Sequence, residues 1–275
     1  NKRFRFSRYG FDSLRGYYFH FTANHNQLLA FPISMAEVKP YKDDRSSKKE
    51  QVARMFDSIS ERYDFLNHLL SFGIDKGWRR KLIRAAKKEA PSRVLDIATG
   101  TGDLAIELRK SGAQEIIGLD ISNGMLEVGR KKVSKAGLDD YVQLLYGDSE
   151  AIPYEEGRFD LVTAAFGVRN FENLDKGLAE MARVLRPGGC MMILEFSQPE
   201  SSPFKQLYAF YSKHILPRIG KAFSKDDSAY AYLPESVDAF PYGQAFLDRL
   251  DKHGLGDLQA QKLTFGVASL YFARK

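Results

Sequence analysis

The chain has 275 residues, of which 44% are hydrophobic, a net charge of +6 and a single cysteine. This length and apolar content suffice for one substantial core, and one cysteine excludes disulfides within the chain and favours a reducing compartment. No run approaches the roughly eighteen apolar residues that cross a bilayer, so the composition predicts a soluble or peripheral protein.

The positive charge is concentrated at the start of the chain. Residues 1–34 carry five Lys or Arg and one Asp, a charge of +4 that leaves +2 for the remainder. A nearly neutral body argues against nucleic-acid binding. Because this segment is aromatic, Arg-rich and begins without Met, we predict either a disordered extension upstream of a natural start at Met35 or a targeting presequence. Residues 35–50 are predicted to form a polar leader, and 51–275 one domain.

Apolar residues recur every three or four positions from Val52 to Leu70, which predicts an amphipathic helix or a broken pair of helices. A second helix is predicted over 78–88. Strands and helices then alternate, with strands at 93–98, 115–120, 141–146, 159–166 and 190–196, and helices at 103–110, 122–136 and 173–185. A helix at 242–253 and strands at 258–264 and 267–273 close the chain. This alternation predicts an α/β fold with a mostly parallel seven-stranded sheet covered on both faces.

Residues 198–241 interrupt the alternating pattern. We predict a non-helical insert over the C-terminal ends of the strands, where ligands bind in open α/β sheets. Its apolar side chains either line a groove for a hydrophobic substrate or form the core of a small helical cap. They are Phe204, Leu207, Tyr208, Phe210, Tyr211, Ile215 and Leu216.

A glycine turn, RVLDIATGTGD at 93–103, joins a predicted buried strand to a helix. Gly100 and Gly102 allow bare backbone to approach a bound nucleotide. Asp120 ends the next strand about twenty residues on, where the hydroxyl pair of a ribose needs an acceptor. Asp148 and Ser149 follow the third strand and can bind an adenine amino group there. These loops predict a nucleotide pocket.

Two cofactors fit this pattern, a dinucleotide and S-adenosylmethionine. A pyrophosphate needs a helix N-terminus without negative charge, whereas Asp103 stands there and Ala105 replaces the third glycine of the dinucleotide motif. Asp103 can equally be a plain helix cap. A sulfonium and an ammonium would be tolerated, and Asp96 can help to hold the ammonium. The pattern therefore favours S-adenosylmethionine over NAD.

Two long stretches, YDFLNHLLSFGIDKGW at 63–78 and RVLRPGGCMMILEFS at 183–197, look like signatures of one family. The chain resembles class I S-adenosylmethionine-dependent methyltransferases and, more narrowly, the ubiquinone/menaquinone biosynthesis C-methyltransferase family. FGVRN at 166–170 and HILPRIG at 214–220 are further similar pieces. The resemblance covers about residues 50–275 and implies a Rossmann-like fold with a helical cap at 198–241. The chain departs from the family at Leu66, Asp75 and Arg186, where Met, His and Lys are frequent.

The resemblance implies cofactor contacts at Thr101, Asp120, Asp148 and Ser149, and the absence of a contact at Ala165, where the family often has Ser. It implies methylation of a ring carbon of a reduced polyprenyl quinone, with demethylmenaquinol as the favoured substrate. The benzoquinol precursor of ubiquinone and small-molecule O- or N-methylation are the alternatives within this fold. An NAD-dependent dehydrogenase and a non-catalytic RNA- or membrane-binding protein are the alternatives outside it.

Four residues are candidates for the chemistry. Arg169, just past the fourth strand, can stabilise a phenolate or hold a water that takes its proton. His68 and Tyr63 are weaker candidates for proton transfer, and Asp75 can be a base or a helix cap. We predict no metal site. The expected partner is a polyprenyl quinol, with room for peripheral membrane contact and a homo-oligomer, in the cytoplasm or, if 1–34 is a presequence, in an organelle.

Overall fold

The computed structural model describes residues 38–215 and 227–275. The predicted extension or presequence at 1–34 lies outside the described residues, as do Leu216 and the insert residues that follow it up to 226. Within the part that is described, no helix is both long and apolar enough to pass through a bilayer.

Seven strands form one sheet in the order β3-β2-β1-β4-β5-β7-β6. The strands are β1 Arg93–Ile97, β2 Glu115–Asp120, β3 Val142–Tyr146, β4 Phe159–Ala165, β5 Leu185–Phe196, β6 Gly256–Leu263 and β7 Ala268–Arg274. The first five are parallel, and β7 lies antiparallel between β5 and β6. The predicted mostly parallel seven-stranded sheet is confirmed.

Helices cover both faces of this sheet. They are α1 Lys48–Leu70, α2 Ile74–Glu89, α3 Asp103–Leu108, α4 Asn123–Lys135, α5 Leu174–Val184, α6 Phe204–Phe210, α7 Asp227–Ala239 and α8 Gln244–Lys252. Strand β1 shows how both faces are buried: Leu95 and Ile97 pack in the core that contains residues of α5 and α8, while Val94 packs in the core shared with α2, α3 and α4. Successive side chains point to opposite faces of a strand, so a strand buried on both faces reads as a continuous apolar run.

Helix α1 is one continuous helix rather than a broken pair. Ser47 accepts a hydrogen bond from the Glu50 amide at 3.2 Å, and the Glu50 carboxylate accepts one from the Ser47 amide at 3.0 Å. This reciprocal capping satisfies two amides that the helix itself leaves unpaired. The helix begins inside the stretch predicted to be a polar leader, and its apolar face packs with Tyr232 of α7.

The prediction that the insert is non-helical is wrong. Residues 204–215 form α6 and a π-helical extension, and α7 follows after the residues that are not described. The aromatic residues recur at helical spacing, as Phe204, Tyr208 and Tyr211 show, so their richness in rings hides an ordinary helical period. The helical cap of the predicted fold is confirmed for the described residues of the insert.

Two other boundaries differ from prediction. Helix α2 starts at Ile74, four residues earlier than predicted, which places Asp75 in its first turn rather than in a loop. Strand β5 starts at Leu185 rather than residue 190, because Leu185 still pairs with Phe159 before the chain bulges and pairing resumes at Cys190. The bulge contains Gly188, whose φ is 73°.

Candidate active site

The site lies at the C-terminal edge of the parallel strands. The strand order reverses between β1 and its neighbours β2 and β4, and ligands bind outside the strand ends at such a switch point. A cavity, here the strand-end cavity, opens there, and its empty space together with the open solvent at its mouth is about 670 Å³. Its floor comes from the loops after β1, β2, β3 and β4, and helix α1 forms one wall through Lys49, Val52, Phe56 and Tyr63.

The two loop glycines have different roles. Gly100, with a φ of 57°, lines the strand-end cavity, and a Cβ built on it would meet nothing within 4 Å. Gly102, with a φ of 76°, packs instead on Leu144, where a Cβ would approach a methyl carbon to 2.9 Å. Gly100 therefore leaves backbone open to a ligand, whereas Gly102 allows the loop to pack closely on β3.

Asp120 lies at the end of β2 and lines the strand-end cavity, as predicted. Its two carboxylate oxygens accept hydrogen bonds from the amides of Gly100 at 2.8 Å and Ser122 at 2.9 Å. Burial raises the pKa of Asp120, although these backbone hydrogen bonds oppose the rise. A carboxylate has lone pairs beyond those used here, so Asp120 is held in place by the backbone and still able to accept from a diol.

Asp148 and Ser149 also line this cavity. The Asp148 carboxylate accepts from Lys49 of α1 at 2.6 Å and from the Glu150 amide at 2.9 Å. Burial lowers the pKa of Lys49, but the hydrogen bond and charge of Asp148 outweigh it, and the pKa is raised. Lys49 was not predicted from sequence, because a lysine in a polar stretch carries no signal until the fold brings α1 over the strand ends.

A second residue missed by sequence reasoning is Asn170. It lies just beyond β4, is 8% exposed and lines the strand-end cavity. Its Oδ1 atom is buried and has no hydrogen-bond partner among the described residues. A buried carbonyl oxygen without a partner is costly, so Asn170 marks a position where a ligand donor would be stabilising.

Asp96 lies on a smaller neighbouring cavity, here the polar cavity, together with Thr101 and His68. The carboxylate is 1% exposed and accepts from Thr99 Oγ1 at 2.6 Å and Thr163 Oγ1 at 2.7 Å. It forms no ion pair with any described residue. Burial is the main reason that its pKa rises from 3.8 to about 6. A buried carboxylate that lacks a cation suits an ammonium ligand.

We expect Asp96→Asn to raise the free energy of unfolding of the ligand-free protein by about 2 kcal/mol at neutral pH, since the folded state no longer buries this charge. A raised pKa in the folded state means that wild-type stability falls as pH rises from about 4 to about 6, and this part of the slope should vanish in the variant. Urea unfolding at several pH values across that range measures the free energy of unfolding of both proteins. The affinity for S-adenosylhomocysteine, measured by calorimetry, should fall at least about tenfold.

Asp103→Asn is the matched control, because the pKa of Asp103 is shifted in the opposite direction. Burial raises that pKa, but the charges of Lys132 and Arg79 outweigh it and the pKa is lowered. The Asp103 variant should therefore be less stable than wild type at neutral pH. If the free energy of unfolding varied with pH equally in wild type and Asp96→Asn, this would contradict the proposed burial of an unpaired charge.

Asp103 does not act as the sequence argument supposed. Its carboxylate pairs with Lys132 and, at 3.2 Å, with Arg79. Lys132 also pairs with Asp64 of α1 at 2.8 Å, and Asp64 accepts a 2.6 Å hydrogen bond from Thr101. The negative charge at the start of α3 is thus paired with two cations, so discrimination against a pyrophosphate does not rest on an unpaired Asp103. The Thr101 hydroxyl is tied to this network.

A third and much larger space, here the apolar cavity, has about 2130 Å³ of empty volume when the open solvent at its mouth is included. It lies between α1, α2 and the cap helices α6 and α7, and the described residues predicted for a substrate groove all line it. They are Phe204, Leu207, Tyr208, Phe210, Tyr211 and Ile215. No residue of α6 is buried, so these side chains line the wall of the apolar cavity and do not form the core of the helical cap.

Tyr63 and Phe166 line all three cavities. Phe166 holds its position with a φ of 59°, an unusual value for a residue with a bulky side chain. Burial is the main cause of a raised pKa at Tyr63, so its hydroxyl stays protonated at neutral pH. Tyr63 can donate a hydrogen bond where the cavities meet, but it is a poor base.

Arg169 lies on the wall of the apolar cavity and is 7% exposed. Its Nη1 pairs with the fully buried Glu195 at 2.9 Å and also donates to the Phe166 carbonyl, and its Nε donates to Ser236 at 3.3 Å. The guanidinium carbon stands 5.3 Å from the ring centre of Phe196. Arg169 is thus fixed by an ion pair, and its Nη2 donates to no described residue.

His68 and Asp75 form a pair across the turn between α1 and α2. His68 Nδ1 lies 2.9 Å from Asp75 Oδ2, which Arg79 also contacts at 2.6 Å, and Ser71 donates to Asp75 Oδ1 at 2.6 Å. Asp75 is 4% exposed and borders the apolar cavity, whereas His68 borders the polar cavity. The pair therefore spans the two spaces, with Asp75 orienting the imidazole.

The fold and the site together define a class. A Rossmann-like sheet with one antiparallel strand, a glycine turn after β1 and an acceptor carboxylate after β2 is that of an S-adenosylmethionine-dependent methyltransferase, and this chain is an enzyme of that class with S-adenosylmethionine as cofactor. The residues present fit the cofactor, since Asp96 lacks a cation and Gly100 leaves its backbone open. The chain belongs to the ubiE/COQ5 methyltransferase family, whose model matches residues 44–275.

Relatives agree with this assignment. A demethylmenaquinone methyltransferase of Bacteroides fragilis is 47% identical over 240 residues, covering 87% of this chain and 98% of the relative. One from Deinococcus radiodurans is 44% identical over 241 residues, covering 87% and 99%. A ubiquinone/menaquinone biosynthesis C-methyltransferase of Geobacter sulfurreducens is 44% identical over 232 residues, covering 84% and 90%.

The solved structures share the fold alone. A methyltransferase of Thermotoga maritima, described as a possible histamine N-methyltransferase, superposes with a TM-score of 0.52 at 18% identity, covering 81% of this chain and 99% of its own. At such low identity the likeness does not extend to the substrate.

Proposed function

We propose that this enzyme transfers a methyl group from S-adenosylmethionine to a ring carbon of a reduced polyprenyl naphthoquinone, converting demethylmenaquinol to menaquinol. One observation carries the proposal. The strand-end cavity meets a large apolar cavity at Tyr63 and Phe166, so a nucleotide and a long hydrophobic substrate can be held on either side of one junction. The names of the relatives from Bacteroides and Deinococcus favour the naphthoquinol.

The assignments within the cavities follow from the contacts. Asp120 would accept from the ribose hydroxyls, Gly100 would present backbone beside them, and Asp148 with Ser149 would bind the adenine amino group. Asp96 would hold the ammonium, with Thr101 and Gly102 shaping the loop. Asn170 would add an acceptor at the cavity wall. The prenyl chain would lie in the apolar cavity against the cap helices.

Methylation of the ring needs an ionised quinol. A phenol with a pKa near 10 must lose its proton at neutral pH, which costs about 4 kcal/mol without help. We propose that His68, oriented by Asp75, takes this proton and that Arg169 stabilises the phenolate. Once the ring carbon has gained the methyl group, the hydrogen on that carbon leaves as a proton, the hydroxyl group is restored and the ring is aromatic again. Bound S-adenosylmethionine supplies an electrophilic methyl group on a sulfonium. Tyr63, which stays protonated, would hydrogen-bond at the junction, and the apolar walls exclude water.

The test is turnover by the full chain with isotopically labelled S-adenosylmethionine. The acceptors are reduced demethylnaphthoquinone and its benzoquinol counterpart, each with a short prenyl chain that stays in solution. We expect labelled methyl on a ring carbon of the naphthoquinol, seen by mass spectrometry. Asp120→Ala should lose most cofactor binding and give background turnover. Label on an oxygen would instead assign an O-methyltransferase, and preference for the benzoquinol would assign the ubiquinone reaction.

We further propose that the enzyme works at the cytoplasmic face of a membrane, because a polyprenyl quinol partitions into the bilayer.

A further inference from the structure

Large apolar side chains stand exposed around the mouth of the apolar cavity. Phe72 is 76% exposed, Ile74 42%, Leu207 65%, Phe210 56% and Phe265 64%, and all five also line the cavity. These residues, here the apolar rim, come from three separate parts of the chain. Exposed apolar patches of this kind mark a surface that another apolar phase or molecule covers.

The rim is one surface rather than scattered residues, because cap helix α6 and its extension contact both other segments. Phe204, at the start of α6, stacks on Phe265 with ring centres 3.7 Å apart. Tyr211, just beyond α6, lies 6.4 Å from Phe72 in the turn between α1 and α2. Segments far apart in sequence thus meet around a single opening.

The charges on these segments have one sign at the surface. Segments 65–80, 204–215 and 263–267 contain a single acidic residue, Asp75, which is buried and paired with Arg79. Lys76, Arg80 and Lys205 are exposed on the same segments. An apolar patch accompanied by basic side chains complements an anionic lipid surface. A two-fold contact between copies of this chain would instead bring like charges together.

We propose that the apolar rim docks on the surface of an anionic lipid bilayer, with the mouth of the apolar cavity facing the membrane. The proposal rests on the proposed function, since a polyprenyl quinol is dissolved in the bilayer and must enter the cavity from there. Docking would let the prenyl chain pass from lipid to the cavity without crossing water. The rim side chains would insert at the level of the headgroups, and the basic side chains would contact lipid phosphates.

Vesicle flotation with the full chain tests the docking surface. Wild type should bind phosphatidylglycerol-containing vesicles at least about tenfold more tightly than pure phosphatidylcholine vesicles at low salt. Lys76→Glu/Arg80→Glu/Lys205→Glu should lose most of this binding, as should Phe72→Ser/Phe210→Ser. Leu145→Ser/Tyr146→Ser, which changes exposed apolar residues of β3 outside the rim, is the matched control and should bind as wild type does. Every variant keeps the basic residues 1–34, so differences between them belong to the rim.

A second measurement separates docking from chemistry. The charge-reversed triple variant should methylate a short-chain quinol in solution at the wild-type rate, but should methylate a long-chain quinol embedded in anionic vesicles at least about tenfold more slowly. Equal vesicle binding by wild type and both rim variants would overturn the docking surface. So would a wild-type dimer that the rim variants convert to monomers, because the rim would then contact a second copy. Wild type that binds vesicles but methylates no quinol would refute the proposed function instead.

Discussion

Replacing Arg169 by alanine should lower the free energy of unfolding by about 3–5 kcal/mol, as expected when one partner of a buried ion pair is removed. Arg169 and Glu195 are 7% and 0% exposed and lie 2.9 Å apart. The variant would leave the Glu195 carboxylate buried without its cation. Urea unfolding at neutral pH measures the loss.

The same variant should slow turnover at least about tenfold, because the phenolate loses a nearby cation. A low rate in Arg169→Ala cannot alone separate catalysis from folding. Arg169→Gln/Glu195→Gln removes both charges together and leaves no unpaired buried charge, so part of the stability should return while turnover stays low. In the single and in the double variant, the affinity for S-adenosylhomocysteine should stay within a few-fold of that of wild type. Recovery of turnover together with stability would make Arg169 a structural residue only.

Replacing His68 by alanine should lower turnover by about 100-fold or more, as the loss of a general base does. The Nδ1 atom is held by Asp75 at 2.9 Å, and Nε2 contacts no described residue as a hydrogen-bond partner, which leaves it available to accept a proton. Cofactor affinity should change little. Added imidazole should restore part of the rate in His68→Ala, because a small base can enter the vacated space.

Asp75→Asn distinguishes orientation from proton transfer. It should lower turnover less than His68→Ala does, and imidazole should not rescue it, since the ring is still present. His253→Ala is the control, because His253 also faces an aspartate, Asp175 at 3.4 Å, but lies at the C-terminal end of α8 and lines none of the three cavities. We expect no change in turnover in His253→Ala. A His68→Ala enzyme that keeps the wild-type rate would exclude His68 as the base.

The order of strands and helices was predictable because each buried strand and each amphipathic helix carries its own local period. Strand β1 and its glycine turn show this, since the apolar run, Gly100 and Asp120 could be read in sequence and lie as expected. The cap was misread because its aromatic residues suggested an irregular insert, although they recur at helical spacing. Helix periodicity, not composition, was the informative signal.

The candidate site was predictable only in part. Residues that end strands of a parallel sheet meet at one edge, so Asp96, Asp120 and Asp148 could be grouped in advance. The cations that pair with the acidic side chains of the site could not be predicted. Lys49 pairs with Asp148 across 99 positions of sequence, and Lys132 and Arg79 pair with Asp103 across 29 and 24 positions. No local pattern encodes such pairs.

The sequence by itself determined the α/β class, the glycine turn, the acceptor carboxylates and the family, because these depend on short periods and on long contiguous signatures. Only the tertiary structure decided that Arg169 is buried against Glu195, that His68 is oriented by Asp75, and that three distant segments form one exposed apolar rim. The reason is physical. Burial, ion pairing and the shape of a cavity arise from which elements pack together, and side chains far apart in sequence acquire their charge state and their exposure only once that packing is complete.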